Sequence, residues 1–369
     1  MFIRWRQKML FAAMAVLLSG APIWQASALT DTQTTAKAIE PDGTVNVPGF
    51  RLPPSVYSSE EAKAALPRDA GSSADELSKL VADGQVERAR SEYVASLAPA
   101  IAKMKLDMGV TVTSATIAGY HANWVRSVHD KSYRPRAVLI NLPSGAFVFG
   151  AADGNGLIES IPLAASGRFD VVTIDYPLVP QHRFPDASIA VAAVYKALLK
   201  DRRSTEIGIY GCSSGGLLAA QAVAWIQNEH LPAPGAVGIF CASADARWAG
   251  DSWNWQRPLA GIDAPPLLDE RFYYGEHDLA DPLMSPLQSD KVLAKFPPSL
   301  ILTSTRAPEL SAAVETHRRL IRNGVEADLH IWDGLGHAFL LNPDLPESRE
   351  AWSVAERFFS DHIAQPRGR

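Results

Sequence analysis

From Val110 onward, the apolar positions of this chain fall into short continuous runs separated by longer amphipathic stretches. Val110 to Arg126 alternates like two paired strands, and Ala137 to Leu142 (AVLINL) is a continuous run, apolar but for Asn141, of the kind buried on both faces of a sheet. Further strand-length runs begin at Val171, Ile207, Ala236, Leu300 and Asp328, the last ending at Trp332. Helical periodicity lies between them. It spans Phe184 to Lys200, with Val191, Val194, Tyr195 and Leu198 on one face, and Gly215 to Asn228. It returns in the stripe Leu310, Ala313, Val314, His317, Leu320, Ile321, and again from Arg349 to Ile363. Strands alternating with helices predict a mostly parallel central sheet with helices on both faces, whose ligands bind beyond the carboxyl ends of the strands.

Upstream, Ser73-Ala-Asp-Glu76 has the form of a capping box opening a helix, and a second amphipathic stretch covers Gln85 to Lys105. Residues 29 to about 70, rich in Thr, Pro, Ala and Asp, read as an irregular lead-in. In the first 28 residues, Arg4, Arg6 and Lys8 precede an apolar stretch from Met9 to Ile23, and Ala26-Ser27-Ala28 offers a small-residue cleavage site. That stretch is short of the roughly 20 residues of a span, so an exported chain with a cleaved signal is expected, periplasmic or secreted, with no stable membrane insertion afterwards. The organisation is then a signal at 1–28, a lead-in and N-terminal helices at 29–109, and one α/β domain at 110–369.

Composition changes this picture little: 47% hydrophobic and 20% charged residues suit a protein with a sizeable core. The formal charge of −5 becomes −8 once the three cations of the signal are removed, and no basic cluster appears, which argues against nucleic acid as a partner. Cys212 and Cys241 are the only cysteines, at predicted strand ends; a bridge would be allowed outside the cytoplasm, but two free thiols are expected beside so large a core. Two cysteines and no His-Glu-x-x-His leave no zinc pattern, and Gly154-Asn-Gly156 lacks the third glycine and preceding strand of a dinucleotide loop, so no metal and no cofactor are expected.

Candidate chemistry sits where the strands end. In "EIGIYGCSSGGLLAAQAV", Gly211-Cys-Ser-Ser-Gly215 falls between a predicted strand and a predicted helix, the setting of a nucleophile elbow, which nominates Ser213. "INLPSGAFVFG" follows the 137–142 run. Acyl transfer needs N–H donors aimed at a developing oxyanion, and Gly145 and Ala146 of this loop, with Ser214 of the elbow, would supply them. "WDGLGHAF" places His337 after the last strand, behind the serine in chain order, as a general base.

These segments carry a resemblance. "GCSSGG" is similar to the Gly-Asp-Ser-Ala-Gly-Gly elbow of the hormone-sensitive-lipase-type branch of α/β-hydrolases, the bacterial carboxylesterases. "DYPLVPQHRFPDA" (Asp175 to Ala187) resembles that branch's Asp-Tyr-Arg-Leu-Ala-Pro-Glu-His signature, and "LPSGAFVFG" its His-Gly-Gly-Gly-Phe oxyanion loop. The resemblance covers about 110 to 365 and implies an α/β-hydrolase fold with an N-terminal helical cap, fitting 70–105. It implies a serine esterase acting on a small-molecule ester through an acyl-enzyme. Hydrolysis of lactones or amides on the same fold is one alternative, and a silent member that only binds hydrophobic ligands is another. The departures give the second some ground: Pro143 and Ser144 stand for His and Gly, Ala146 for the third Gly, and Ala307 occupies the slot of the family's acid. Three acids could replace it. Asp333 and Asp281 read as structural, whereas Glu309, two residues past the vacant slot with one more methylene of reach, is the candidate partner of His337. Its other reading is a first-turn carboxylate favoured by the helix dipole. The aromatics between Arg247 and Tyr274 could line a pocket or merely pack the cap against the sheet.

Overall fold

The computed structural model describes residues 39–363 apart from 48, 50, 70–72, 130–136 and 260–270. The expected signal at 1–28 therefore lies outside the described residues. The chain divides into two compact units, Met1–Pro53 and Pro54–Arg369. In the first, Ile39 and Val45 form an antiparallel bridge across the turn between them.

The second unit opens with α1 (Glu60–Asp69), α2 (Ser73–Ala82) and α3 (Val86–Asp107), followed by β1 (Val110–Ile117), β2 (Tyr120–Ser127) and β3 (Val138–Leu142). Then come α4 (Asn155–Ala165), β4 (Asp170–Ile174), α5 (Asp186–Leu198), β5 (Ile207–Cys212), α6 (Ser214–Asn228) and β6 (Ala236–Phe240). The short helices α7 (Asp251–Leu259), α8 (Arg271–Tyr274) and α9 (Asp290–Leu293) precede β7 (Ser299–Ser304), α10 (Leu310–Arg322), β8 (Ala327–Trp332) and α11 (Pro346–His362). Every strand expected from the apolar runs is present. Five helices were not expected, the short α7, α8 and α9 together with α1 and α4. α1 occupies part of the stretch read as irregular, and α4 was hidden because it is apolar nearly all round and carries an internal Pro162.

The eight strands form one sheet in the order β1-β2-β4-β3-β5-β6-β7-β8. The hairpin β1/β2 and the β2/β4 pair are antiparallel, and the other five pairs are parallel. All residues of β3, β4, β5, β6 and β7 are buried, as continuous apolar runs covered by helices on both faces should be. β5 is therefore central, flanked by β3 and β6, and the carboxyl ends of β3, β5, β7 and β8 share one edge of the sheet. Among the described residues no helix is long and apolar enough to cross a membrane.

Candidate active site

Ser213 follows β5 directly and precedes the first residue of α6, with φ 58° and ψ −125°. A non-glycine residue in that region is strained, which costs of order 1–3 kcal/mol and persists only where the surroundings impose it. Here the surroundings are backbone: a Cβ on Gly211 would stand 2.5 Å from Leu142 O, and one on Gly215 would be driven into the same carbonyl. Glycines on both sides thus let the chain double back between β3 and β5 with the serine at the apex.

His337 lies beyond β8. Its Nε2 is 2.9 Å from Ser213 Oγ and its Nδ1 is 2.9 Å from Glu309 Oε2. With the proton on Nδ1, the ring donates to Glu309 and its Nε2 accepts from the serine hydroxyl. Burial pulls the imidazole's pKa down, but the charge of Glu309 and the hydrogen bond to it outweigh that effect and hold the value above 6.5. Glu309 is 1% exposed, and its other oxygen accepts from Thr303 Oγ1 at 3.1 Å. Its position is also informative. α10 begins at Leu310, so Glu309 is the residue before the helix, and its side chain makes no capping hydrogen bond. The side chain does not cap the helix; it points at the imidazole.

The other acids are engaged elsewhere. Asp333 accepts from Thr305 Oγ1 at 3.1 Å and from Ser55 Oγ, tying the lead-in to the loop that carries His337. Asp281 accepts from the Leu283 N–H at 2.8 Å within its own turn. Ala307 is completely buried. An Ala307→Asp substitution would bury a carboxyl group at a position with no exposed surface, and it is expected to cost about 3–5 kcal/mol, read as a lowered urea midpoint at unchanged slope. A stable and more active variant would show instead that the slot remains open.

Gly145 takes φ 126° and Ala146 φ 54°, followed by Phe147 at 59°. The glycine-to-alanine departure therefore did not remove the left-handed turn; Ala146 adopts it at a cost of about 1–2 kcal/mol. Ala146, Ser213 and Ser214 line one cavity with His337, while Gly145, one residue back, does not line it. That cavity, of about 200 Å³, is walled mainly by apolar and aromatic side chains, with Trp248, Trp253, Phe272, Tyr273 and Tyr274 among them. Apart from Trp255, the aromatics of 247–274 thus share the cavity of Ser213 rather than only packing. Trp248 meets the His337 ring edge-on at 6.1 Å between centroids, and Phe147 stacks on Tyr273 at 3.7 Å. Helix α3 braces the same loop: Arg90 Nε donates to Val148 O at 2.8 Å and Nη2 to Val179 O at 2.6 Å.

Cys212 and Cys241 are both free and buried beneath the elbow, and burial pushes both thiols up. Among the described residues no group of three or more His, Cys, Asp or Glu could hold a metal ion.

Comparison with known proteins agrees with this geometry. A family model described as alpha/beta hydrolase fold matches residues 139–341, which include the oxyanion loop, the elbow, Glu309 and His337. An acetyl esterase of Salmonella schwarzengrund is 25% identical over 259 residues, covering 65% of this chain and 78% of that protein. The crystal structure of an esterase called E25 superposes with a TM-score of 0.75 at 26% identity, over 87% of this chain and 99% of that one. An esterase from the bacterial hormone-sensitive lipase family superposes with a TM-score of 0.67 at 23% identity, over 80% and 99%.

Proposed function

Because this chain belongs to the α/β-hydrolase family whose model spans residues 139–341, we propose that it is a serine carboxylesterase in which Ser213, His337 and Glu309 form the triad. The hydrogen-bonded chain from Ser213 Oγ through His337 to Glu309 carries the reading. Ser213 Oγ attacks the ester carbonyl as Nε2 of His337 takes its proton. The charged imidazole, held by Glu309, then protonates the departing alcohol and leaves an acyl-serine. A water deprotonated by the same nitrogen attacks that ester and releases the acid. The N–H groups of Gly145, Ala146 and Ser214 serve the oxyanion, those of Ala146 and Ser214 from the cavity wall.

The cavity's size and lining support short acyl groups, since about 200 Å³ is less than a drug-sized pocket. Activity should therefore peak on p-nitrophenyl acetate or butyrate and fall at least tenfold by the laurate ester. Turnover of the laurate as fast as of the butyrate would contradict the proposed pocket. No turnover of any ester would favour the ligand-binding alternative. The basic-then-apolar opening of the sequence supports export as the compartment; fractionation of the expressing cell, with the cleaved N-terminus read by mass spectrometry, tests it.

A further inference from the structure

Helix α4 starts just after the oxyanion loop and contains a single acid, Glu159, with no exposed surface at all. Both of its oxygens are turned back towards the segment leading into the loop. Oε1 accepts from the Ser144 N–H at 2.9 Å and Oε2 from Asn141 Nδ2 at 2.8 Å. Asn141 Oδ1 in turn accepts from Thr173 Oγ1 at 2.8 Å. Asn155, on the same helix, holds Ser144 from its other side, donating to its Oγ at 2.9 Å and to its carbonyl. The Tyr176 hydroxyl donates to Pro143 O at 2.6 Å. Pro143 has no N–H, so Ser144 supplies the first backbone donor after β3, and that donor goes to Glu159. Two residues later Ala146 enters its left-handed turn.

We infer that Glu159 is the positioning residue of the oxyanion loop, fixing through the Ser144 N–H the backbone that presents Ala146 to the acyl oxygen. The inference rests on the acyl-transfer reading of Ser213. A carboxylate suits the place because it only accepts, and the groups aimed at it, from Ser144, Asn141 and the Cys212 backbone, are donors. Burial pushes its pKa up to about 7, although the bonds from Ser144, Asn141 and the Cys212 backbone oppose that rise. No lysine, arginine or histidine among the described residues pairs with it. The titratable groups facing it are Tyr93 of α3, Tyr176 after β4, Tyr210 and Cys212 of β5, and Cys241 after β6, all with ionisation pushed upward and hence neutral near pH 7. Protonation of Glu159 would put an O–H against a donor and release one end of the loop's anchor.

Two groups must then be unprotonated for full activity, His337 as base and Glu159 as anchor. On the acid side, log kcat/KM of the wild type should fall with a slope approaching about 2, and with a slope of about 1 in Glu159→Gln. The amide variant keeps the shape but sets an NH2 donor against one of these donors, because the Thr173 hydroxyl donating to Asn141 Oδ1 holds that amide in place. It should fold normally, with kcat on p-nitrophenyl acetate lowered roughly tenfold to a hundredfold by loop misplacement and KM within about twofold. In the full-length protein, the backbone amide resonance of Ser144 should titrate near pH 7 and become flat in the variant. A Ser144 resonance that does not titrate overturns the role, as does a variant with wild-type kcat and an unchanged acid limb. A wild type that neither turns over esters nor labels at Ser213 overturns the acyl-transfer reading itself, and the Ser144 titration still reports on the loop contact separately.

Discussion

Ser213→Ala leaves the fold intact and removes ester turnover, lowering kcat by roughly 10⁶. The size of the loss follows from the way a nucleophile and its base act as a unit: once the hydroxyl is gone, the imidazole 2.9 Å away has no proton to take and no acyl acceptor to activate. What remains is binding and the oxyanion donors. Stability should stay within about 0.5 kcal/mol, because alanine carries the same Cβ into the same strained backbone and no buried partner is lost apart from the partly exposed histidine. The measurement is kcat on p-nitrophenyl acetate alongside thermal unfolding. More than a trace of turnover in the variant would place the chemistry on another residue.

Glu309→Gln should lower kcat by about 10⁴ with the protein still folded, as removal of the acid does in other serine triads. The carboxylate is 1% exposed and accepts from both His337 Nδ1 and Thr303 Oγ1, so its charge is directed at the imidazole with little screening. That charge is what keeps the imidazole's pKa above 6.5 despite burial. The base is the neutral ring, so the His337 step in the acid limb of wild-type kcat/KM lies above pH 6.5, and loss of the Glu309 charge moves that step to lower pH while the plateau collapses. A Gln variant with full activity and an unmoved limb would reduce the site to a serine–histidine pair.

How much of this was legible in the residues depends on whether the chemistry was local. β3, β4, β5, β6 and β7 could be read because continuous apolar runs of this length have few other homes, and Ser213 because strand, glycine-flanked serine and helix are consecutive in sequence. His337 followed from its place beyond the last strand. Glu309 was harder, since its partner is 28 residues away and proximity in sequence to a vacant slot says nothing about the direction of a side chain. Helix α4 was missed: with Ile158, Ile161, Leu163 and Ala164 all buried it has no polar face to give a period. Glu159 was missed with it. A lone acid in the apolar stretch GLIESIPLAA was the available signal, because a carboxylate inside a core needs donors close by. The left-handed Ala146 could not be read from the chain either, since alanine ordinarily avoids that conformation and only the braced loop around it imposes it.

In the proposed mechanism Ser213 is acylated by a reaction that His337 and Glu309 drive. Wild-type protein treated with a serine-directed fluorophosphonate, then digested and read by peptide mass spectrometry, tests it most directly. One stoichiometric adduct is expected on the peptide containing Ser213, formed orders of magnitude more slowly in Glu309→Gln and absent in Ser213→Ala. An adduct on any other residue, or a Ser213 adduct that forms equally fast without the Glu309 carboxylate, would contradict it.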